Sequence, residues 1–251
     1  MDIVQTFYDD LAPEYDKLFS DWRAAVREQA QLLDALIRGS GFDRTSRLLD
    51  CACGIGTQAI GLAALGYDVT ASDISAAELD EAKKRAAESG VGIRFRRADF
   101  RALSEVFDET FDIVIAMDNA LPHMLTVADL EAAVGSIVRR LAPGGLFLAS
   151  IRDYDALLTR RPPYSPPYIH KTDKGRRVSF QTWDWTDDHY RLTQYLIEDE
   201  GELRVGKYVC EYRAVRREEL QRLLLACGCG EVVWRLPEQT GFYQPVVLAR
   251  K

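Results

Sequence analysis

"LLDCACGIGTQAIGLAALGYDVTASDIS", residues 48–75, opens on an apolar run, crosses a turn of small residues and reaches an acid. Leu48 and Leu49 read as a buried strand whose carboxyl end is Asp50. Small residues at Ala52, Gly54 and Gly56 let backbone approach a ligand closely, and Thr57 starts a helix. A Gly-x-Gly by itself describes a tight strand-to-helix connection equally well. Asp73 separates the two readings. It ends the next strand, about 20 residues on, where a carboxylate can accept hydrogen bonds from both hydroxyls of a ribose. Asp99 closes a third strand in "RRADF" (96–100), where it can meet an adenine amino group with Phe100 beside the ring. Acids at three successive strand ends point to a nucleotide cradle. A dinucleotide site calls for a further glycine where this chain has Ala59, so spacing alone leaves the nucleotide open.

Outward from this stretch the pattern alternates. Residues 9–38 read as helical, with Leu32, Leu33, Leu36 and Ile37 on one buried face and Gly39-Ser40-Gly41 as the stop. Strands are expected at 47–51, 68–72, 93–97, 113–117 and 146–151, with helices at 57–65, 75–88 and 127–141. Short apolar strands joined by amphipathic helices predict a doubly wound α/β sheet, parallel and covered on both faces. The rhythm breaks after Asp155: "RRPPYSPPY" (160–168) cannot be a regular helix interior. Residues 175–212 then alternate as three antiparallel strands, a lid or substrate-side insertion. A helix at 216–227 and strands near 231–235 and 244–249 return to the main sheet. The division is 1–45, a helical and aromatic segment; 46–155, the nucleotide-binding core; 156–213, the Pro-rich segment and β lid; and 214–251, the elements completing the core sheet.

Composition narrows the partners. The 251 residues carry 32 Lys+Arg against 39 Asp+Glu, a net charge of -7, which opposes a phosphate-backbone partner. The densest basic cluster, Arg94-Phe95-Arg96-Arg97, reads as a strand end. "MDIVQTFYDD" has no apolar signal core, and no stretch approaches the roughly 18 apolar residues of a membrane span. A soluble cytoplasmic protein without a membrane or nucleic-acid partner is expected. Cys51, Cys53, Cys210, Cys227 and Cys229 are odd in number and include two Cys-x-Cys pairs, which suits neither a disulfide framework nor a zinc site. No bound metal is expected.

"LLDCACGIGT", "ASDIS", "ADF", "FDIVIAMDNALPHM" and "LAPGGLFLAS" resemble, in order, the successive motifs of the class I S-adenosylmethionine-dependent methyltransferases. The resemblance covers residues 48–151. It implies S-adenosyl-L-methionine as cofactor, with Asp50, Ala52, Gly54 and Gly56 at its methionine part, Asp73 and Ile74 at the ribose, and Asp99 and Phe100 at the adenine. Met117 would lie under the adenosine, and His123 in the loop beyond would border the same site. "IAMDNALPHM" and "IRDYD" further resemble the glycine and sarcosine N-methyltransferases, in which an asparagine after strand four and an arginine after strand five hold the amino acid. Asn119 and Arg152 occupy those positions, and Tyr195 would correspond to the lid tyrosine that closes the pocket. "FYDDLAPEYDKLFSDW" (7–22) resembles the aromatic N-terminal segment of bacterial members, so Tyr8, Tyr15 and Trp22 are expected along the cleft. Asp118 departs from the glycine of the mammalian enzymes, and Asp153 from their asparagine.

The residues also allow plainer roles. An arginine fork binds a carboxylate through two parallel hydrogen bonds, but Arg152 could instead form an ion pair with Asp153 or Asp155. Asn119 could be a turn residue before Pro122, and His123 a packing histidine rather than a general base. The expected activity is methylation of glycine, sarcosine or a similar small amino acid. Another small molecule is the alternative, and a non-catalytic cofactor-binding protein a more distant one. A small-molecule substrate and a possible homo-oligomer complete the expectations.

Overall fold

Leu48 and Leu49 are neighbours in sequence, yet each is fully buried in a different core, one on either face of a sheet. The same alternation runs through Ile113 and Val114, Leu146 and Phe147, and Val246 and Val247. A strand presents successive side chains to opposite faces, so both faces of this sheet are covered. Each fully buried Leu or Ile contributes roughly 1.5–3 kcal/mol to holding the layers together.

The computed structural model describes residues 3–251. The chain begins with α1 (Ile3–Leu11), a 3-10 segment (Ala12–Leu18) and α2 (Trp22–Gly39). Then follow β1 (Arg47–Asp50), α3 (Thr57–Ala64), β2 (Asp68–Asp73), α4 (Ala76–Glu88), β3 (Arg94–Arg97), β4 (Phe111–Ala116), α5 (Val127–Arg140) and β5 (Leu141–Ser150). After α6 (Tyr154–Arg160) come β6 (Tyr168–Thr172), β7 (Gly175–Thr186), β8 (His189–Asp199) and β9 (Leu203–Arg213). The chain ends with α7 (Arg217–Ala226), β10 (Glu231–Arg235), α8 (Pro237–Thr240) and β11 (Val246–Arg250).

Two sheets result. The first has seven strands in the order β10-β11-β5-β4-β1-β2-β3, parallel from β3 to β5, with β11 antiparallel to both of its neighbours. Its strand order reverses between β1 and β4, where a doubly wound sheet opens its cleft. α2, α3 and α4 cover one face, and α5 and α7 the other. The second sheet, β6-β7-β8-β9, is antiparallel throughout. Tyr190, Leu192, Cys210 and Tyr212 on its inner face belong to the same buried cluster as Val114 and Phe147.

The expected helix over 9–38 is in fact broken. Pro13 opens a 3-10 segment, Phe19 is extended, and Asp21 caps a new helix by accepting from Ala24 N–H at 2.9 Å. The antiparallel sheet has four strands rather than the three expected, because β6 forms directly after Pro167 and pairs along β7. α6 runs past Asp155, where the strand–helix alternation was expected to break.

Candidate active site

The turn after β1 is built for close approach. Gly54 and Gly56 have φ of +52° and +92°, and a Cβ on Gly56 would meet Ile60 Cδ1 at 2.9 Å. Asp73, at the end of β2, fixes this turn: Oδ2 accepts from Gly54 N–H at 2.9 Å, and Oδ1 accepts from Ser75 N–H at 3.0 Å. Asp50 is 0 % exposed. One of its oxygens accepts from Ala52 N–H at 3.3 Å, while Oδ2 has no partner. Burial, with Asp73 and Asp118 nearby, pushes its pKa up to about 8.

A cavity opens above this turn. Its wall includes Ala52, Gly54, Asp73, Ile74, Asp99, Phe100, Met117 and His123, and α1 closes it with Ile3, Val4 and Tyr8. Asp9 ties α1 down by accepting from Ser75 Oγ at 2.6 Å. Asp99 is engaged by Arg101, whose Nε and Nη2 donate to Oδ2 at 2.8 and 2.6 Å. Tyr8 Oη and His123 Nε2 lie 2.9 Å apart, and the His123 ring lies 4.1 Å from that of Tyr212. Burial lowers the His123 pKa to about 3, so its imidazole is neutral at neutral pH.

A second cavity lies between α1, the loops after β4 and β5, and the inner face of the antiparallel sheet. Tyr8, Tyr15 and Asp118 line both cavities, so the two meet there. The loop after β4 is held by β5: Asp118 N–H donates to Ser150 Oγ at 2.8 Å and Asn119 N–H to Ser150 O at 3.0 Å. Asp118 and Asn119 both adopt positive φ, which turns them toward the cleft. Asn119 Oδ1 accepts from Arg152 N–H and from Tyr154 Oη, each at 3.0 Å, while its buried Nδ2 has no partner.

Arg152 donates to Tyr190 Oη at 2.7 Å and to Gln181 Oε1 at 3.0 Å, and its guanidinium lies 5.0 Å from the Trp183 ring and 5.3 Å from that of Tyr212. Burial works against its charge, but the surrounding tyrosines hold its pKa above the ordinary arginine value. Among the described residues no carboxylate pairs with it. Asp153 and Asp155 are both taken by Arg217, at 3.1 and 3.0 Å.

Residues 48–145 match the family described as "Methyltransferase domain". The glycines, the partnerless Asp50 Oδ2 and the Asp73 carboxylate at the next strand end suit a small nucleotide-bearing cofactor. Residues 48–145 carry a methyltransferase domain, and the fold around it is that of the class I S-adenosylmethionine-dependent methyltransferases. The methyltransferase is 22% identical over 226 residues to the glycine/sarcosine N-methyltransferase of Aphanothece halophytica, covering 90% of this chain and 80% of that protein. It is 41% identical over 104 residues to the ubiquinone biosynthesis O-methyltransferase of Methylocella silvestris, covering 41% of this chain and 39% of that protein. The chain thus spans well under half the length of this second relative. Among solved structures, the S-adenosylmethionine-bound CalS10, an amino pentose methyltransferase from Micromonospora echinaspora, superposes with a TM-score of 0.73 at 22% identity, covering 90% of this chain and 91% of that one. Identity at that level speaks for the fold.

The expected site residues divide three ways. The first cavity brings together Tyr15, Ala52, Gly54, Asp73, Ile74, Asp99, Phe100, Met117 and His123, and the second holds Asn119 and Arg152. Asp50 and Gly56 support the first cavity from within the turn. Trp22 and Tyr195 join neither. Trp22 packs behind the turn with Ile55 and Ile60, donates to Thr57 Oγ1 at 3.0 Å and carries Arg85 over its ring. Tyr195 stacks on Phe180, with ring centroids 4.9 Å apart, and alternation along β8 turns it to the face opposite Tyr190 and Leu192. Sequence reasoning missed Tyr190, Gln181 and Trp183. The signal was available, since Tyr190 shares parity with the apolar Leu192 and Leu196, whereas Tyr195 does not.

Proposed function

We propose that this methyltransferase N-methylates a small amino acid, of the size of glycine or sarcosine. The observation that carries this reading is Arg152: a half-buried, charged guanidinium on the wall of the second cavity, with aromatic rings and neutral acceptors around it and no carboxylate partner among the described residues. A cation withdrawn from water without a counter-charge is costly, and a substrate carboxylate would supply that charge through the fork. The unpartnered Nδ2 of Asn119 offers a further donor.

When bound, S-adenosylmethionine supplies a methyl group already activated on a sulfonium sulfur. Asp50 and the Ala52–Gly56 turn would hold its methionine part, Asp73 and Ile74 its ribose, and Asp99, Phe100 and Met117 the adenosine. The chain's remaining task is to fix an amine where the two cavities meet, beside Tyr8, Tyr15 and Asp118. Holding two reactants in line supplies ~7–11 kcal/mol of the barrier. His123, neutral down to about pH 3, is a weak proton acceptor and serves to position Tyr8.

Methylation of an amino sugar is the second reading, favoured by the likeness to an amino pentose methyltransferase and by the tyrosines and phenylalanines along the second cavity. Transfer of labelled methyl groups from S-adenosylmethionine to glycine, sarcosine, ethanolamine and glucosamine tests both. Labelling of glycine or sarcosine alone supports the amino-acid reading. Labelling of glucosamine or ethanolamine with equal efficiency overturns it.

A further inference from the structure

Asp118 lies at the junction of the two cavities. Its position is fixed from three directions. The backbone N–H is held by Ser150 Oγ, and Ser150 in turn donates to Gln244 Oε1 at 2.8 Å. Tyr243 Oη donates to Oδ1 at 2.7 Å, and Gln58 Nε2 donates to Oδ2 at 2.7 Å. Gln58 itself is oriented by Gln29 Oε1 at 2.6 Å. The φ of +56° is a conformation that L-residues other than Asn and Asp rarely adopt. Each carboxylate oxygen still has acceptor capacity beyond these bonds, because an ionised carboxylate offers about four lone-pair sites.

We infer that Asp118 is the amine subsite: it binds the substrate's ammonium where the two cavities meet and takes its proton. The inference rests on the reading of the substrate as an amine, and extends it from the carboxylate end at Arg152 to the reacting end. The step balances simply. One N–H bond of the ammonium breaks, an O–H bond forms on Asp118, and the nitrogen keeps the electron pair that it then directs at the methyl carbon. Asp118 later returns the proton to water. An aspartate of ordinary acidity would hold a proton too weakly for this task. Burial raises the Asp118 pKa, while the bonds from Tyr243 and Gln58 oppose the rise. The other titratable groups facing this point are Tyr8 and Tyr15, both kept protonated mainly by burial, and Tyr243, exposed to solvent with its pKa also raised, together with Asp50 and the fixed charge of Arg152.

The test compares wild type with Asp118→Asn, which keeps the side-chain shape. The acceptor is whichever of glycine, sarcosine, ethanolamine and glucosamine the wild type methylates best. Asp118→Asn should lower kcat/KM at least 100-fold at pH 7, and the loss should shrink as pH rises and the free amine becomes the dominant species. Binding of the same amine to the S-adenosylhomocysteine-loaded protein, read by calorimetry at pH 7, should weaken more than tenfold, with S-adenosylhomocysteine affinity within threefold of wild type. A loss equal at every pH, or amine binding within threefold of wild type, overturns the inference. So does a wild type that methylates only a hydroxyl acceptor. A wild type that methylates glucosamine or ethanolamine alone removes the amino-acid reading while leaving Asp118 fully tested.

Discussion

Arg152 and Asn119 are one unit: the Arg152 backbone N–H donates to Asn119 Oδ1 at 3.0 Å, joining the loops after β5 and β4. The same oxygen accepts from Tyr154 Oη. Asn119→Ala would leave the Arg152 N–H without its acceptor, at roughly 1–3 kcal/mol, and Tyr154 Oη with only Tyr190 Oη, 2.8 Å away. Denaturant unfolding should therefore show a clear loss of stability, and the amine substrate KM should rise tenfold or more. Unchanged stability would mean that the loop is held by Ser150 alone.

Tyr190→Phe and Tyr195→Phe separate the two faces of β8. Tyr190 Oη accepts from Arg152 at 2.7 Å, so its removal frees the guanidinium and should raise substrate KM several-fold. Tyr195 stacks on Phe180 on the opposite face, and Tyr195→Phe should leave KM within twofold. Steady-state kinetics on the pair decides it; the reverse order of effects would contradict the observed strand parity.

Asp73→Ala removes the acceptor for Gly54 N–H and Ser75 N–H, as well as the carboxylate assigned to the ribose. A hydrogen bond involving a charged group contributes about 1.5–3 kcal/mol. Calorimetric titration should show S-adenosylmethionine affinity reduced at least tenfold. An affinity unchanged in a folded variant would remove Asp73 from the cofactor site.

Asp50 ties cofactor-free stability to pH. Its folded pKa of about 8 lies above the usual ~3.9 of an unfolded aspartate. The folded state therefore binds the extra proton between these values, and stability falls as pH rises from about 4 to 8. The shift corresponds to several kcal/mol at about 1.4 kcal/mol per unit. Asp50→Asn should flatten that part of the stability profile, measured by denaturant unfolding without cofactor. A slope as steep as that of wild type would place the titration elsewhere.

Much of residues 48–151 was legible because buried parallel strands leave short apolar runs, and because the chemistry sits at their carboxyl ends. Asp73 and Asp99 follow from that rule alone, and Arg152 from the rule together with the resemblance to the glycine and sarcosine N-methyltransferases. What stayed hidden depends on partners distant in sequence. Nothing local to Arg152 announces that Arg217 takes Asp153 and Asp155, leaving it without a counter-charge. Trp22 belongs to an aromatic-rich stretch, but the turn at Ser20-Asp21 sends its ring behind the glycine loop, onto Thr57. Tyr190 and Tyr195 are both aromatic residues of one strand, and only register distinguishes them. β6 was masked by the prolines before it, which do not prevent pairing once they end at Pro167.

The central claim is that Arg152 receives a substrate carboxylate. Steady-state kinetics of Arg152→Lys and Arg152→Ala on glycine and sarcosine, beside cofactor titration of each, tests it most directly. Lysine keeps the charge but not the planar fork, so Arg152→Lys should raise KM strongly, and Arg152→Ala should nearly abolish activity. S-adenosylmethionine affinity should stay within a few-fold in both, since Arg152 lines only the second cavity. Full activity of Arg152→Ala on glycine and sarcosine, or a loss of cofactor binding equal to the loss of activity, would contradict the claim.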